Sequence, residues 1–236
     1  GDEKPSLLSH DVLPSPALLD FLREQALSKT PQSGGSLANI LTENPKFNKL
    51  MKNRKALLVI DMQKGSFTPK TPRFDTIGIV ERINELAELF RELNHSVIYI
   101  QHDGTGTGEF EKNTTDWENL DNLVVKSTDI RIDKYVNDIF YKSELQSKLK
   151  ELNVSELFIT GCATDFCVES TIQSALTKDY NITIVEDGHT TGERPHLKAE
   201  QIIEHYNWVW KNMIPTKGKI KVESTEKIKT ICQQPF

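Results

Sequence analysis

Ala56-Leu57-Leu58-Val59-Ile60, closed by the polar turn Asp61-Met62-Gln63, is the stretch on which the fold turns. Five consecutive apolar residues with no polar face fit a strand buried on both sides, the habit of a parallel sheet. Working outward, Ile79, Ile83, Leu86, Leu89, Phe90 and Leu93 recur at helical spacing. Ser96-Val97-Ile98-Tyr99-Ile100 is a second apolar strand. Further along, helices are expected over 145–152, 167–177 and 197–213, and strands over 156–160, 181–185 and 220–222. The polar stretch between the second strand and residue 145, including Arg131 to Phe140, reads as loop. Strand alternates with helix, and the connections are long enough for crossovers. The expected fold is therefore α/β: a three-layer, doubly wound, mostly parallel sheet with helices on both faces.

Residues 1–54 have a different character. Three prolines and no period mark residues 1–16, a short amphipathic helix is expected over 16–27, and a Ser/Gly/Pro-rich linker follows over 28–36. The expected division is an N-terminal helical arm over 1–54 and one α/β domain over 55–236. With 236 residues, 37% of them apolar, the chain can fill a core without cross-links. No run approaches the roughly 18 apolar residues of a membrane span, so no membrane partner is expected. Twenty-nine basic against 34 acidic residues leave a net charge of −5, which argues against nucleic acid. Three cysteines make no disulfide framework and suggest reduced thiols in a cytoplasmic protein, although Gly1 leaves open a processed export signal.

In such sheets ligands gather where strands end. Those positions are Asp61-Met62-Gln63, Gln101-His102-Asp103-Gly104, the turn Gly161-Cys162-Ala163-Thr164-Asp165-Phe166-Cys167, and Glu186-Asp187-Gly188-His189. Cys167 follows a glycine-led turn and is expected to open a helix, where the dipole lowers a thiol pKa. A small buried residue closing that first turn is the plainer alternative. Asp61 suits a general base in the cleft or a turn former. Lys134, taken alone, reads as a solvated loop lysine.

Together, Leu58-Val59-Ile60-Asp61-Met62-Gln63, a loop lysine and Gly161-Cys162-Ala163-Thr164-Asp165-Phe166-Cys167-Val168 resemble the isochorismatase-like cysteine hydrolase superfamily, which includes nicotinamidases and other amide hydrolases. Gln101-His102-Asp103-Gly104, His189-Thr190-Thr191 and the stretch from Pro195 to Asn207 resemble a narrower set of streptothricin-hydrolase-like and uncharacterised cysteine hydrolases. The resemblance implies a catalytic triad of Asp61, Lys134 and Cys167. It also implies an oxyanion hole from the amides of Ala163 and Cys167, with a non-proline cis peptide between Cys162 and Ala163. The implied reaction is metal-independent hydrolysis of a C–N bond in a small amide, lactam or carbamoyl compound through a thioester. The alternative is vinyl-ether hydrolysis giving pyruvate, and a third reading is a non-catalytic scaffold on a retained hydrolase fold.

His102, Trp117, Phe67, Thr164 and His189 are the candidate substrate-binding residues, each with a structural alternative. No metal and no cofactor are expected, because the Asp-x-His pair of nicotinamidases is replaced here by Gln101-His102-Asp103-Gly104-Thr105-Gly106-Thr107-Gly108. Family habit implies a homodimer or larger homo-oligomer. Trp208 and Trp210, two apart on a helix, cannot share one face, which suggests a subunit contact for at least one of them.

Overall fold

The computed structural model describes residues 54–233. The expected arm, including its helix over 16–27, lies outside the described residues except for Arg54. Six strands, β1 (Arg54–Ile60), β2 (Ser96–His102), β3 (Ile130–Lys134), β4 (Val154–Cys162), β5 (Asn181–Thr190) and β6 (Ile220–Glu223), form one sheet in the order β3-β2-β1-β4-β5-β6. All five pairings are parallel. The helices are α1 (Thr76–Glu92), α2 (Leu145–Glu151), α3 (Glu169–Thr177), α4 (Ala199–Lys211) and α5 (Thr225–Gln233).

The uninterrupted apolar run of β1 is explained by what lies on each side. Leu57 and Val59 pack with Ile79, Val80, Ile83, Leu86 and Phe90 of α1. Ala56, Leu58 and Ile60 pack on the other face with Leu149 of α2, Ile172 of α3 and Trp210 of α4. All five strand residues are essentially unexposed. Burial of each larger side chain contributes roughly 1.5–3 kcal/mol, so β1 is the central plank of both layers. The chain runs outward from β1 to β2 and β3, then returns to place β4 on β1's other side. That reversal opens a crevice beyond the carboxyl ends of β1 and β4, where ligands settle in this architecture.

Four local features differ from expectation. Lys134 ends a short edge strand rather than lying in a loop; β3 alternates apolar and charged residues, and only Ile132 and Lys134 are buried. β4 and β5 extend beyond their apolar centres into polar residues. The helix expected from Cys167 begins at Glu169, and a π turn over Thr164–Val168 precedes it. In that turn the Val168 N–H donates to the Ala163 carbonyl at 3.1 Å, five residues back. A final helix, α5, follows the last expected strand, with Ile228, Ile231 and Cys232 at helical spacing. Trp210 is buried in the core and Trp208 is exposed, so a surface role at a subunit contact is closed to Trp210.

Gly161 is held at φ +120 where β4 meets β1, and a Cβ there would come 2.1 Å from the Ile60 carbonyl oxygen. Only glycine fits that backbone approach. Substitution Gly161→Ala is expected to destabilise the fold by more than about 3 kcal/mol, read as the loss of unfolding free energy in a denaturant titration. Near-normal stability would show that the two strands can separate at no cost.

Candidate active site

Three chain segments converge in the crevice. Asp61 is the first residue past β1, at φ 49, and its N–H donates to the Ile100 carbonyl at 2.9 Å. Aspartate tolerates this left-handed conformation better than most residues, and the bend coincides with the mouth of the crevice. Behind it, Gln63 clamps β1 to β2: its amide donates to the carbonyls of His102 at 3.0 Å and Trp117 at 2.9 Å, and its oxygen accepts from the His102 N–H at 2.8 Å. Lys134 ends β3, two strands from β1, a lateral offset of about 10 Å at ordinary strand spacing. A long side chain is needed to cross it.

Lys134 Nζ lies 2.8 Å from Asp61 Oδ2, 3.3 Å from Cys167 Sγ and 3.1 Å from the Val136 carbonyl. Three ammonium protons meet three partners. Lys134 is 1% exposed, so the pairing is a condition of burying the charge. Asp61 Oδ1, also buried, has no hydrogen-bond partner among the described residues. Cys167 also has Asn137 Oδ1 at 3.7 Å.

Burial opposes the Lys134 charge, but Asp61 and Cys167 outweigh it and raise its pKa. Burial first, and then the negative charge of Asp61, push the Cys167 thiol up to about 12, against the opposing pull of Lys134. The expectation of a lowered thiol pKa at a helix start is thereby corrected. Cys167 sits inside the π turn, where desolvation and an adjacent carboxylate exceed any dipole effect. Desolvation and the neighbouring Asp61 thus favour the protonated thiol over a preformed thiolate. Cys162 is buried and likewise pushed up to about 12 by desolvation. The bond joining Cys162 to Ala163 is cis.

The cleft holds about 330 Å³, and Asp61, Cys162, Ala163 and Cys167 contribute to its lining. Asn137, Arg73, Arg194 and Phe166 line it too, and sequence reasoning did not single them out. Asn137 stands three residues past Lys134, the nearest thing to a signal; the arginines sit in loops without a motif. His102, Trp117, Phe67, Thr164 and His189 are absent from the lining. His102 meets Phe110 edge-on, with ring centroids 5.8 Å apart. The Trp117 carbonyl accepts from Gln63 and from Gln101. Phe67 packs against the α1-side core. Among the described residues no three His, Cys, Asp or Glu side chains are grouped as metal ligands would be.

Thr164 and His189 form a buried relay beneath the turn. Thr164 Oγ1 is 2.9 Å from His189 Nδ1, and His189 Nε2 is 3.1 Å from Asn207 Oδ1. Asn207 Nδ2 donates to the Glu186 carbonyl at 3.0 Å, which leaves its oxygen to accept. His189 therefore carries its proton on Nε2, and the Thr164 hydroxyl donates to Nδ1. Desolvation lowers the His189 pKa to about 4, which keeps the ring neutral.

The isochorismatase domain model matches residues 55–209. A solved isochorismatase family protein is 31% identical, covers 68% of this chain and 94% of its own, and superposes with a TM-score of 0.64. A cysteine hydrolase from Pseudomonas syringae pv. phaseolicola 1448A, at 22% identity, covers 76% and 92% of the two chains with a TM-score of 0.69 and shares the fold. Ureidoacrylate amidohydrolase RutB of Caulobacter vibrioides is 28% identical over 193 residues, 65% of this chain and 86% of the relative.

Lys134→Met is expected to cost about 3–5 kcal/mol of stability, because Asp61 is then left as an unpaired buried carboxylate. Denaturant unfolding at neutral pH measures this, and a loss below 1 kcal/mol would contradict the pairing. For His189 the folded pKa lies below the unfolded one, so the unfolded chain binds the proton first as pH falls. The stability it contributes is full above about pH 6.5 and is lost toward pH 4. Half-buried His95, also lowered to about 4, acts in the same direction. In His189→Gln the fall in unfolding free energy across that window should be shallower by about 1 kcal/mol per pH unit. An unchanged slope would contradict the neutral, relay-bound ring.

Proposed function

The chain belongs to the isochorismatase family, and we propose that it is a cysteine hydrolase of that family cleaving a C–N bond in a small amide, lactam or carbamoyl compound. The observation that carries this reading is the placement of one buried ammonium, Lys134 Nζ, within 2.8 Å of Asp61 and 3.3 Å of Cys167, two residues that line a cleft. A cleft of about 330 Å³ is at the small end of ligand pockets, which suits a metabolite rather than a polymer. The similarity to a ureidoacrylate amidohydrolase favours C–N bonds over a vinyl ether. A buried thiol held by a lysine also favours acyl chemistry, since cleaving a vinyl ether to give pyruvate needs no thiol nucleophile.

In the proposed cycle the Cys167 thiol gives its proton to Asp61 as sulfur bonds to the substrate carbonyl carbon. The unpartnered Oδ1 of Asp61 is the available acceptor. Lys134 stays protonated throughout and holds both partners in place. The amides of Ala163 and Cys167 receive the oxyanion of the tetrahedral adduct. Collapse of the adduct expels ammonia or an amine, which takes the proton from Asp61 and leaves a thioester. Water then gives a proton to Asp61, attacks the thioester and releases the acid, and the proton returns to sulfur.

An ammonia-release screen over small amides and carbamoyl compounds tests the reading. Cys167→Ala is expected to lower turnover of any hit by at least about a thousandfold. Full activity in Cys167→Ala would overturn it.

A further inference from the structure

Arg73 is the cation lining the cleft whose charge meets no carboxylate among the described residues. Lys134 is committed to Asp61. Arg194 is committed to Asp165, through Nε to Oδ2 at 2.8 Å and Nη2 to Oδ1 at 2.9 Å, and its guanidinium lies 5.0 Å over the Phe166 ring. Asp75, close to Arg73 in sequence, is paired with Arg82. Among the described residues Arg73 donates only its Nε, to the Ser66 carbonyl at 2.7 Å. Its terminal fork remains for a ligand.

That fork is held in place. On one side of Arg73 the Phe74 N–H donates to the Thr191 carbonyl at 3.0 Å, and the Thr190 hydroxyl donates to the Phe74 carbonyl at 2.6 Å. Gly192 stands against it: a Cβ there would come 2.8 Å from Arg73 Nη1. The missing side chain leaves the guanidinium its room. Of the charged residues lining the cleft, Asp61 is paired with Lys134 behind it and Arg194 with Asp165, while Arg73 adds a further positive charge. Passing the Cys167 proton to Asp61 does not change that balance. One positive charge is therefore in excess, within a chain whose net charge is −5.

We propose that Arg73 is a substrate-recognition residue and that the substrate carries a carboxylate in addition to its scissile C–N bond. A planar guanidinium fork matches a carboxylate in geometry, and a single excess charge matches a monoanion better than a phosphate dianion. The proposal rests on the reading of Cys167 as the nucleophile, so the test must separate the two.

Iodoacetate and iodoacetamide differ by a carboxylate in place of a carboxamide. Each alkylates a cysteine in the same way: sulfur displaces iodide, an S–C bond forms, and the thiol proton leaves to a base. Alkylation rates at Cys167, read by peptide mass spectrometry, are compared with those of N-acetylcysteine. In the wild type the iodoacetate-to-iodoacetamide ratio should exceed that of the free thiol by about tenfold, the effect of one charge-assisted contact. In Arg73→Gln the ratio should fall to the free-thiol value, with Arg73→Lys between the two. Because a ratio is read, any general loss of reactivity cancels. An equal ratio in wild type and Arg73→Gln overturns the proposal. A Cys167 inert to both reagents overturns the nucleophile reading instead. Calorimetry with propionate, a monoanion, then decides the anion site alone: binding lost in Arg73→Gln supports it, and no binding to wild type overturns it.

Discussion

The buried ammonium of Lys134 is the constraint around which the crevice is arranged. Removing a cation from water is costly unless it is paired and hydrogen-bonded, and Lys134 meets Asp61, Cys167 and a carbonyl in one place. Those partners come from different parts of the chain. β3 must lie at the edge in register with β2, β1 must end in a sharp bend, and the turn after β4 must bring sulfur inward. The requirement therefore couples one side chain to the order of four strands. A buried ion pair is not by itself a source of stability. Here it is better understood as a specification: an alternative register of β3 would strand a charge.

The same grouping sets the protonation preference of the thiol. An isolated thiol beside a lysine would favour the thiolate. Adding a carboxylate and removing water reverses the balance, and the Cys167 pKa rises. In the proposed cycle, a thiol held protonated beside a carboxylate has its proton ready to pass on as sulfur attacks. The relay from Thr164 through His189 and Asn207 to the Glu186 carbonyl lies beneath this turn, and burial keeps its imidazole neutral. The turn carrying sulfur is thereby tied to the end of β5 and to α4 by neutral hydrogen bonds that add no charge to the crevice.

Much of this was legible in the sequence. Ala56 to Ile60 fitted a doubly buried strand, and apart from β3 and α5 the alternation of strands and helices followed from apolar period. Asp61 and Cys167 were picked out as candidates because a doubly wound sheet gathers ligands where strands end, and the structure brings both to one cleft. Lys134 was not legible from pattern: Arg131, Asp133 and Lys134 give an edge strand the polarity of a loop, and only the family resemblance lifted it. The π turn was hidden because it depends on a backbone path rather than on residue type. Arg73, Arg194 and Asn137 were missed for a related reason. Loop residues owe their place in a cleft to tertiary contacts, such as the bonds from the Phe74 segment to Thr190 and Thr191, and no spacing encodes those. The direction of the Cys167 shift was misjudged because a dipole argument counts one field and leaves out desolvation and a neighbouring charge.

The central claim is that Asp61 keeps Cys167 protonated at rest and is the base that receives its proton. It is tested most directly by titrating the ultraviolet absorbance of the Cys167 thiolate against pH, with Cys167→Ala subtracted, in wild type and in Asp61→Asn. The wild-type thiol should remain protonated through neutral pH and titrate toward about 12. In Asp61→Asn the titration should move down, because the charge that opposes the thiolate is gone while the Lys134 cation remains. A thiolate already present at neutral pH in the wild type, or a titration unchanged by Asp61→Asn, would contradict it.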